Sequence, residues 1–262
     1  MIKPVSIGFF DSGIGGLSVL RHALNRVSGS PLIYVADSAN TPYGTKSADW
    51  IIERSLAIGH FLQEEGAQAI VVACNTATAV AVKTLREKLD VPIIAMEPAI
   101  KPASKLSKTR KVAVLATPGT FGSQKYSQLA DRHTADIEIT NQACQHWVEI
   151  VEAGELDSPY TLDQINKDLD TIIQDGNDTL VLGCTHFPFL ADAIAKVVGE
   201  SINIIDPVEA VIDHLCRKLE LPESLSAEVS SVTFYTSGDL NKYAEQIRSL
   251  IAVEGKYLKL PL

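Results

Sequence analysis

The chain has 262 residues, 46% of them hydrophobic and 21% charged. That is enough apolar material for a sizeable core, which excludes a disordered chain and a disulfide-stapled miniprotein, and the length predicts one to two domains. Lys and Arg number 23 against 32 Asp and Glu, a net charge of −9, so by bulk electrostatics neither nucleic acid nor an anionic membrane is an expected partner.

The longest uncharged apolar-rich run, Gly66 to Val82, contains Gln68, Asn75, Thr76 and Thr78 and is too short and polar to span a bilayer. The first residues show no signal-peptide apolar region. These features predict a cytoplasmic protein whose four cysteines, Cys74, Cys144, Cys184 and Cys216, are reduced.

In chain order, Val5 to Phe10 reads as a buried strand and runs into the glycine-rich turn Asp11-Ser12-Gly13-Ile14-Gly15-Gly16. Leu17, Leu20, Leu24 and Val27 then fall at helical spacing. A strand over Leu32 to Ala36 leads to the polar loop Asn40-Thr41-Pro42-Tyr43-Gly44, read as a turn, a lid or a carboxylate-binding wall. Ile52, Leu56 and Gly59 predict a helix. A strand over Ala69 to Ala73 precedes a helix beginning near Thr76, and Pro92 to Met96 predicts a fourth strand. The basic stretch Lys101 to Lys111 reads as a helix or linker with a solvated face. Further strands are expected over Lys111 to Ala116, Ile137 to Thr140, Thr179 to Gly183 and Ile202 to Ile205, with a helix over Trp147 to Gly154. Short, continuously apolar strands alternating with helices predict an α/β fold with parallel sheets covered on both faces. The 55 residues after Asp206-Pro207 exceed a tail and are expected to pack back on the first half.

A weak internal repeat links the halves. Ala69 to Thr76 matches Thr179 to His186, with Cys74 and Cys184 at the same point of a strand-to-helix turn, 110 residues apart. A thiol at a helix N-terminus has its thiolate favoured, and the amides of Asn75 and Thr76 would face an anion there. One strand-end cysteine is most simply a core residue; two at equivalent turns, the second followed by Thr185 and His186, point to chemistry. Asp11 suits a proton partner or an ammonium contact, or simply an N-cap. The turn after it lets backbone approach a small ligand, but it is neither G-x-G-x-x-G nor a P-loop. Thr117 and Thr120 supply hydroxyls at the repeated turn. Cys144-Gln145-His146 and Cys184-Thr185-His186 are both C-x-H, but structural zinc spacing is different, so zinc is disfavoured. Two thiols facing one carbon from opposite sides suit stereochemical inversion: one removes the Cα proton and the other delivers one to the opposite face.

Four strings carry a specific resemblance: Phe10-Asp-Ser-Gly-Ile-Gly-Gly-Leu-Ser18, Ala36-Asp-Ser-Ala-Asn-Thr-Pro-Tyr-Gly44, Val72-Ala-Cys-Asn-Thr-Ala-Thr78 and Leu182-Gly-Cys-Thr-His-Phe-Pro-Phe-Leu190. With the Ala116 to Thr120 turn they cover nearly the whole chain, which resembles the glutamate racemases of the cofactor-independent aspartate/glutamate racemase superfamily. The resemblance implies two pseudo-symmetric α/β domains, 1–97 with 208–262 and 98–207, and an active site in the cleft between them. It implies that Cys74 acts on D-glutamate and Cys184 on L-glutamate, assisted by Asp11 and His186, with Glu152 near His186. Ser12, Tyr43, Gly44, Asn75, Thr76, Thr117, Thr120 and Thr185 would bind substrate. No pyridoxal phosphate, metal or nucleotide is implied, and the product would be D-glutamate for peptidoglycan and the cell wall. The sequence departs from the family where Gln145-His146-Trp147 follows Cys144 in place of the usual proline. Some relatives carry an N-terminal extension linked to activation by a cell-wall precursor; this sequence starts close to its first strand, so that regulation is not expected. A homodimer is allowed and not specified. The alternatives are racemisation of another acid such as aspartate, or an inactive binding protein like the relatives said to inhibit DNA gyrase; both cysteines at their turns oppose the latter.

Overall fold

The structure, a computed structural model, describes residues 5–27, 29–133, 136–221 and 231–262. Its strands are β1 (Ile7–Asp11), β2 (Leu32–Ala36), β3 (Ala69–Val72), β4 (Ile93–Ala95), β5 (Lys111–Ala116), β6 (Glu138–Ala143), β7 (Thr179–Leu182), β8 (Asn203–Ile205), β9 (Val232–Thr236) and β10 (Lys256–Lys259). Its helices are α1 (Leu17–Leu24), α2 (Ala48–Glu64), α3 (Asn75–Lys88), α4 (Ile100–Leu106), α5 (Pro118–Phe121), α6 (Gln124–Asp131), α7 (Gln145–Ala153), α8 (Pro159–Gln174), α9 (Ala191–Val198), α10 (Val208–Lys218) and α11 (Leu240–Ile251).

The strands form two wholly parallel sheets, in the orders β10-β9-β2-β1-β3-β4 and β6-β5-β7-β8. The run β2-β1-β3-β4 repeats as β6-β5-β7-β8, so the weak sequence repeat is a repeat of topology. β1, β2 and β3 are buried along their whole length. This is why they read as continuous apolar runs rather than alternating ones.

Both faces of each sheet are covered. Phe10, Ile33, Val35, Ile70 and Val72 pack under α2 and α3. Val112, Val114 and Val181 pack against Ile100 and Ala103 of α4 and Tyr126 of α6. The opposite faces share one continuous core, from Phe9, Tyr34 and Val71 through Trp147 and Phe187 to Leu115 and Leu180. At about 25 cal/mol per Å² of apolar area buried, this shared interior is what holds the halves against each other.

Residues after Pro207 supply α10, α11, β9 and β10, and β9 pairs with β2 in the first sheet. The apolar reading found neither strand: β10 is edge and half exposed, and part of the preceding segment lies outside the described residues. It also cut β6 short at Thr140. That strand is an edge with mostly exposed side chains, so Asn141 and Gln142 continue the ladder without apolar character. The Lys101 to Lys111 stretch is α4 and the turn into β5. Among the described residues no helix is long and apolar enough to cross a membrane.

Candidate active site

In parallel sheets every strand points the same way, so all carboxyl ends open on one edge, where ligands bind. Asp11 ends β1, and Thr117 follows β5 directly. Cys74 and Cys184 each lie two residues beyond their strands, β3 and β7. Both cysteines line one small, nearly closed cavity. Its other walls are Ser12, Pro42, Tyr43, Gly44, Asn75, Thr76, Thr117, Val148, Thr185 and His186. None of these is lysine or arginine, so a bound anion would rest on neutral donors and on His186.

Cys74 is the N-cap of α3; its Sγ accepts from the Ala77 N–H at 3.4 Å and lies 3.8 Å from Ser12 Oγ. Burial, then the negative charge of Asp11, push its thiol up to about 12, so it rests protonated. Cys184 Sγ lies 3.7 Å from His186 Nδ1. His186 Nε2 in turn meets Glu152 Oε1 at 2.9 Å, and that oxygen also accepts the Ile14 N–H. Burial acts to lower the His186 pKa, but its bonds to Cys184 and Glu152 outweigh it and raise it well above the ordinary imidazole range. Burial likewise opposes the Glu152 charge, and the His186 contact prevails and holds its carboxyl below the usual value. The result is a continuous Cys184–His186–Glu152 chain in which the carboxylate favours a charged imidazole. Trp147 anchors α7 for this purpose: its ring meets Phe187 at 5.1 Å and its Nε1–H donates to Asp168.

Asp11 is not an N-cap, since α1 begins after Gly16. It accepts the Gly13 N–H and the Thr185 hydroxyl, each at 2.9 Å. Burial raises its pKa. It acts on Cys74 through its field and on the Cys184 turn by contact. The glycine turn serves a purpose other than the expected approach of a ligand. A Cβ on Gly13 would lie 2.1 Å from Glu152 Oε1, and one on Gly15 2.3 Å from His186 Nδ1. The glycines admit the side chains of the second half.

Of the sequence-predicted residues, Asp11, Glu152 and Thr120 stand behind the cavity wall. Asp11 backs Thr185, and Glu152 backs His186. Thr120 bonds Thr117, which bonds Thr76, a run of three hydroxyls at 3.2 and 3.0 Å. Tyr43 lines the cavity, but its hydroxyl turns away and donates to Asp37 at 2.7 Å. Asn75 is 4% exposed, and neither amide atom has a partner. His146 pairs with Asp168 and Cys144 faces the Gln142 carbonyl, so of the two C-x-H pairs only Cys184 and His186 are seen in contact. Among the described residues no group of three His, Cys, Asp or Glu could hold a metal ion.

Sequence reading missed Val148 and the support of the Tyr43 loop. Val148 lies one turn before Glu152 on α7, a spacing that signals a shared face. Asp37 is fully buried and accepts from Arg54 at 2.7 and 2.8 Å and from Asn40. Burial penalises its charge, but these donors prevail and hold its pKa down. Nothing in the α2 pattern singles out Arg54.

The profile of the Asp/Glu/hydantoin racemase family matches residues 13–215. The chain is 49% identical over 234 residues to a glutamate racemase of Methylococcus capsulatus, covering 88% of this chain and 86% of that one. It superposes on the Francisella tularensis glutamate racemase in complex with D-glutamate with a TM-score of 0.84, at 28% identity over 98% of this chain and 97% of the other. For the Escherichia coli glutamate racemase in complex with L-glutamate and the activator UDP-MurNAc-ala the TM-score is 0.82, at 32% identity and the same coverage. The sequence match, the two-sheet fold and the paired thiols agree: the chain belongs to the Asp/Glu/hydantoin racemase family and is an isomerase.

Proposed function

We propose that the substrate is glutamate and that its two enantiomers are interconverted by Cys74 and Cys184 without a cofactor. The observation that carries this is the placement of both sulphurs, from equivalent strand ends of two repeated sheets, on one small cavity. Cys184, as a thiolate held beside the charged His186, takes the Cα proton of L-glutamate and becomes a thiol. Cys74, resting as a thiol, donates to the opposite face of the carbanion. In the reverse direction Cys74, then a thiolate, removes the proton of D-glutamate. Asp11 and Ser12 set the environment of Cys74, and Glu152 keeps His186 charged. Asn75, Thr76, Thr117 and Thr185, with the Tyr43-Gly44 backbone, hold the substrate, and Thr120 orients Thr117. Fixed donors around the carboxylate would stabilise the carbanion.

Sheet membership supports a division into domains 1–97 with 208–262 and 98–207. The product fits D-glutamate supply for peptidoglycan in the cytoplasm. The test is circular dichroism of L- or D-glutamate incubated with purified protein and no added cofactor. Ellipticity should decay to zero from either side. In deuterated buffer the product should carry solvent deuterium at Cα while early residual substrate stays protiated. Product that keeps its original proton would point to a single base and overturn the two-thiol reading.

A further inference from the structure

Gln145 opens α7, and the roles assigned so far leave it unused. Both atoms of its carboxamide are buried, and neither has a hydrogen-bond partner. A buried amide left unpaired is costly, so this one calls for a partner. Its direction follows from helix geometry. Gln145, Val148 and Glu152 are spaced i, i+3, i+7 and share one face of α7. Val148 lines the cysteine cavity, and Glu152 meets His186 behind it. The Gln145 amide therefore lies one turn further along the same face, toward the end of the cavity formed by Gly44 and Thr117. A Cβ placed on Gly44 would lie 2.9 Å from Gln145 Oε1 and 3.5 Å from Thr117 Oγ1. The carboxamide thus covers Gly44 from the second half of the molecule, and a side chain at residue 44 would displace it.

We propose that Gln145 is a specificity residue that donates its amide N–H to the side-chain carboxylate of the bound amino acid. This rests on the glutamate reading above. The α-carboxylate has nearer donors, since Asn75, Thr76 and Thr185 adjoin the two cysteines in sequence. The distal carboxylate must then lie along a wall without lysine or arginine, where a free carboxamide supplies a donor. An amide can present either nitrogen or oxygen by a half-turn, and its present lack of partners leaves both orientations open.

The experiment compares wild type, Gln145→Glu and Gln145→Met with glutamate and with glutamine as substrate or competing ligand. Gln145→Glu keeps the shape and sets a negative charge against the distal carboxylate, and a carboxylate in the first turn of a helix suits the helix dipole. It should raise KM for glutamate at least tenfold with kcat held within about threefold, the scale of a lost hydrogen bond to a charged group. For glutamine, which has no distal charge, the loss should be at least tenfold smaller. Gln145→Met removes the donor without adding charge, should also raise KM for glutamate, and decides the matter if the glutamate variant fails to fold. An unchanged KM, an equal loss on both ligands, or a loss in kcat alone would overturn the assignment. A wild type that leaves glutamate unchanged would instead overturn the underlying function, and this inference with it.

Discussion

Replacing Glu152 by Gln removes the carboxylate that keeps His186 charged while leaving an oxygen to accept from Ile14 and His186. The contact is 2.9 Å long, and His186 and Glu152 are only 2% and 19% exposed, so solvent screens it little. A hydrogen bond to a charged group contributes about 1.5–3 kcal/mol. At about 1.36 kcal/mol per decade that is roughly a 10- to 150-fold loss in kcat/KM. The two enantiomers have equal free energy, so kcat/KM must fall by the same factor in both directions. The side on which the loss arises shows in the isotope effects. Slowing proton transfer at Cys184 should enlarge the primary effect for Cα-deuterated L-glutamate, where Cys184 is the base, and shrink it for the deuterated D-enantiomer. The assay is the initial rate by circular dichroism with both labelled enantiomers. A loss smaller than about threefold, or isotope effects that move in the same sense, would refute the pairing of His186 and Glu152 with Cys184.

Cys74→Ala and Cys184→Ala should each lose racemisation by about 10²–10⁴-fold or more, and the double variant should be little worse than either, because both thiols serve one cycle; either single variant within about tenfold of wild type would overturn their assignment. Arg54→Met should leave Asp37 buried without its ion pair, cost about 3–5 kcal/mol in urea unfolding, and raise KM by loosening the Tyr43-Gly44 loop. Stability against pH should fall on the acid side. Glu152 and Asp37 have folded pKa values below 4.5 and 3.8, so their contributions are present above those values and are lost as pH falls through the lower folded ones. His186 has the opposite sign: its contribution is complete below about pH 6.5 and is lost as pH rises through its raised folded value. Thermal melts from pH 2 to 9 would show both limbs, and Glu152→Gln should flatten each.

The sequence by itself determined the parallel α/β architecture and the two equivalent cysteine turns. Buried parallel strands must be apolar at every position, so β1, β2, β3, β5 and β7 are legible from local composition. The cysteines are legible because the chain repeats a strand-to-helix turn, and any strand of a parallel sheet delivers its end to the same edge. The edge strands β4 and β8 are legible too, whereas β10 and the interior β9 are not, and β6 is legible only to Thr140. In β6 and β10 the backbone ladder, which every residue type can form, extends where apolar character has ended.

Tertiary structure alone decided what each polar group faces. Asp11 looks like a partner for nearby Cys74, yet its hydrogen bond reaches Thr185, 174 residues away. Tyr43 belongs to a loop expected to hold substrate, yet its hydroxyl is taken by Asp37, itself fixed by Arg54 from α2. Gly13 and Gly15 read as room for a ligand and proved to be room for Glu152 and His186. Local sequence sets backbone preference and apolar period, which are short-range. Pairing of a buried charge or hydroxyl is long-range: the cost of leaving it unmet falls on whichever side chain the packed halves bring within about 3 Å, and sequence spacing does not encode that choice.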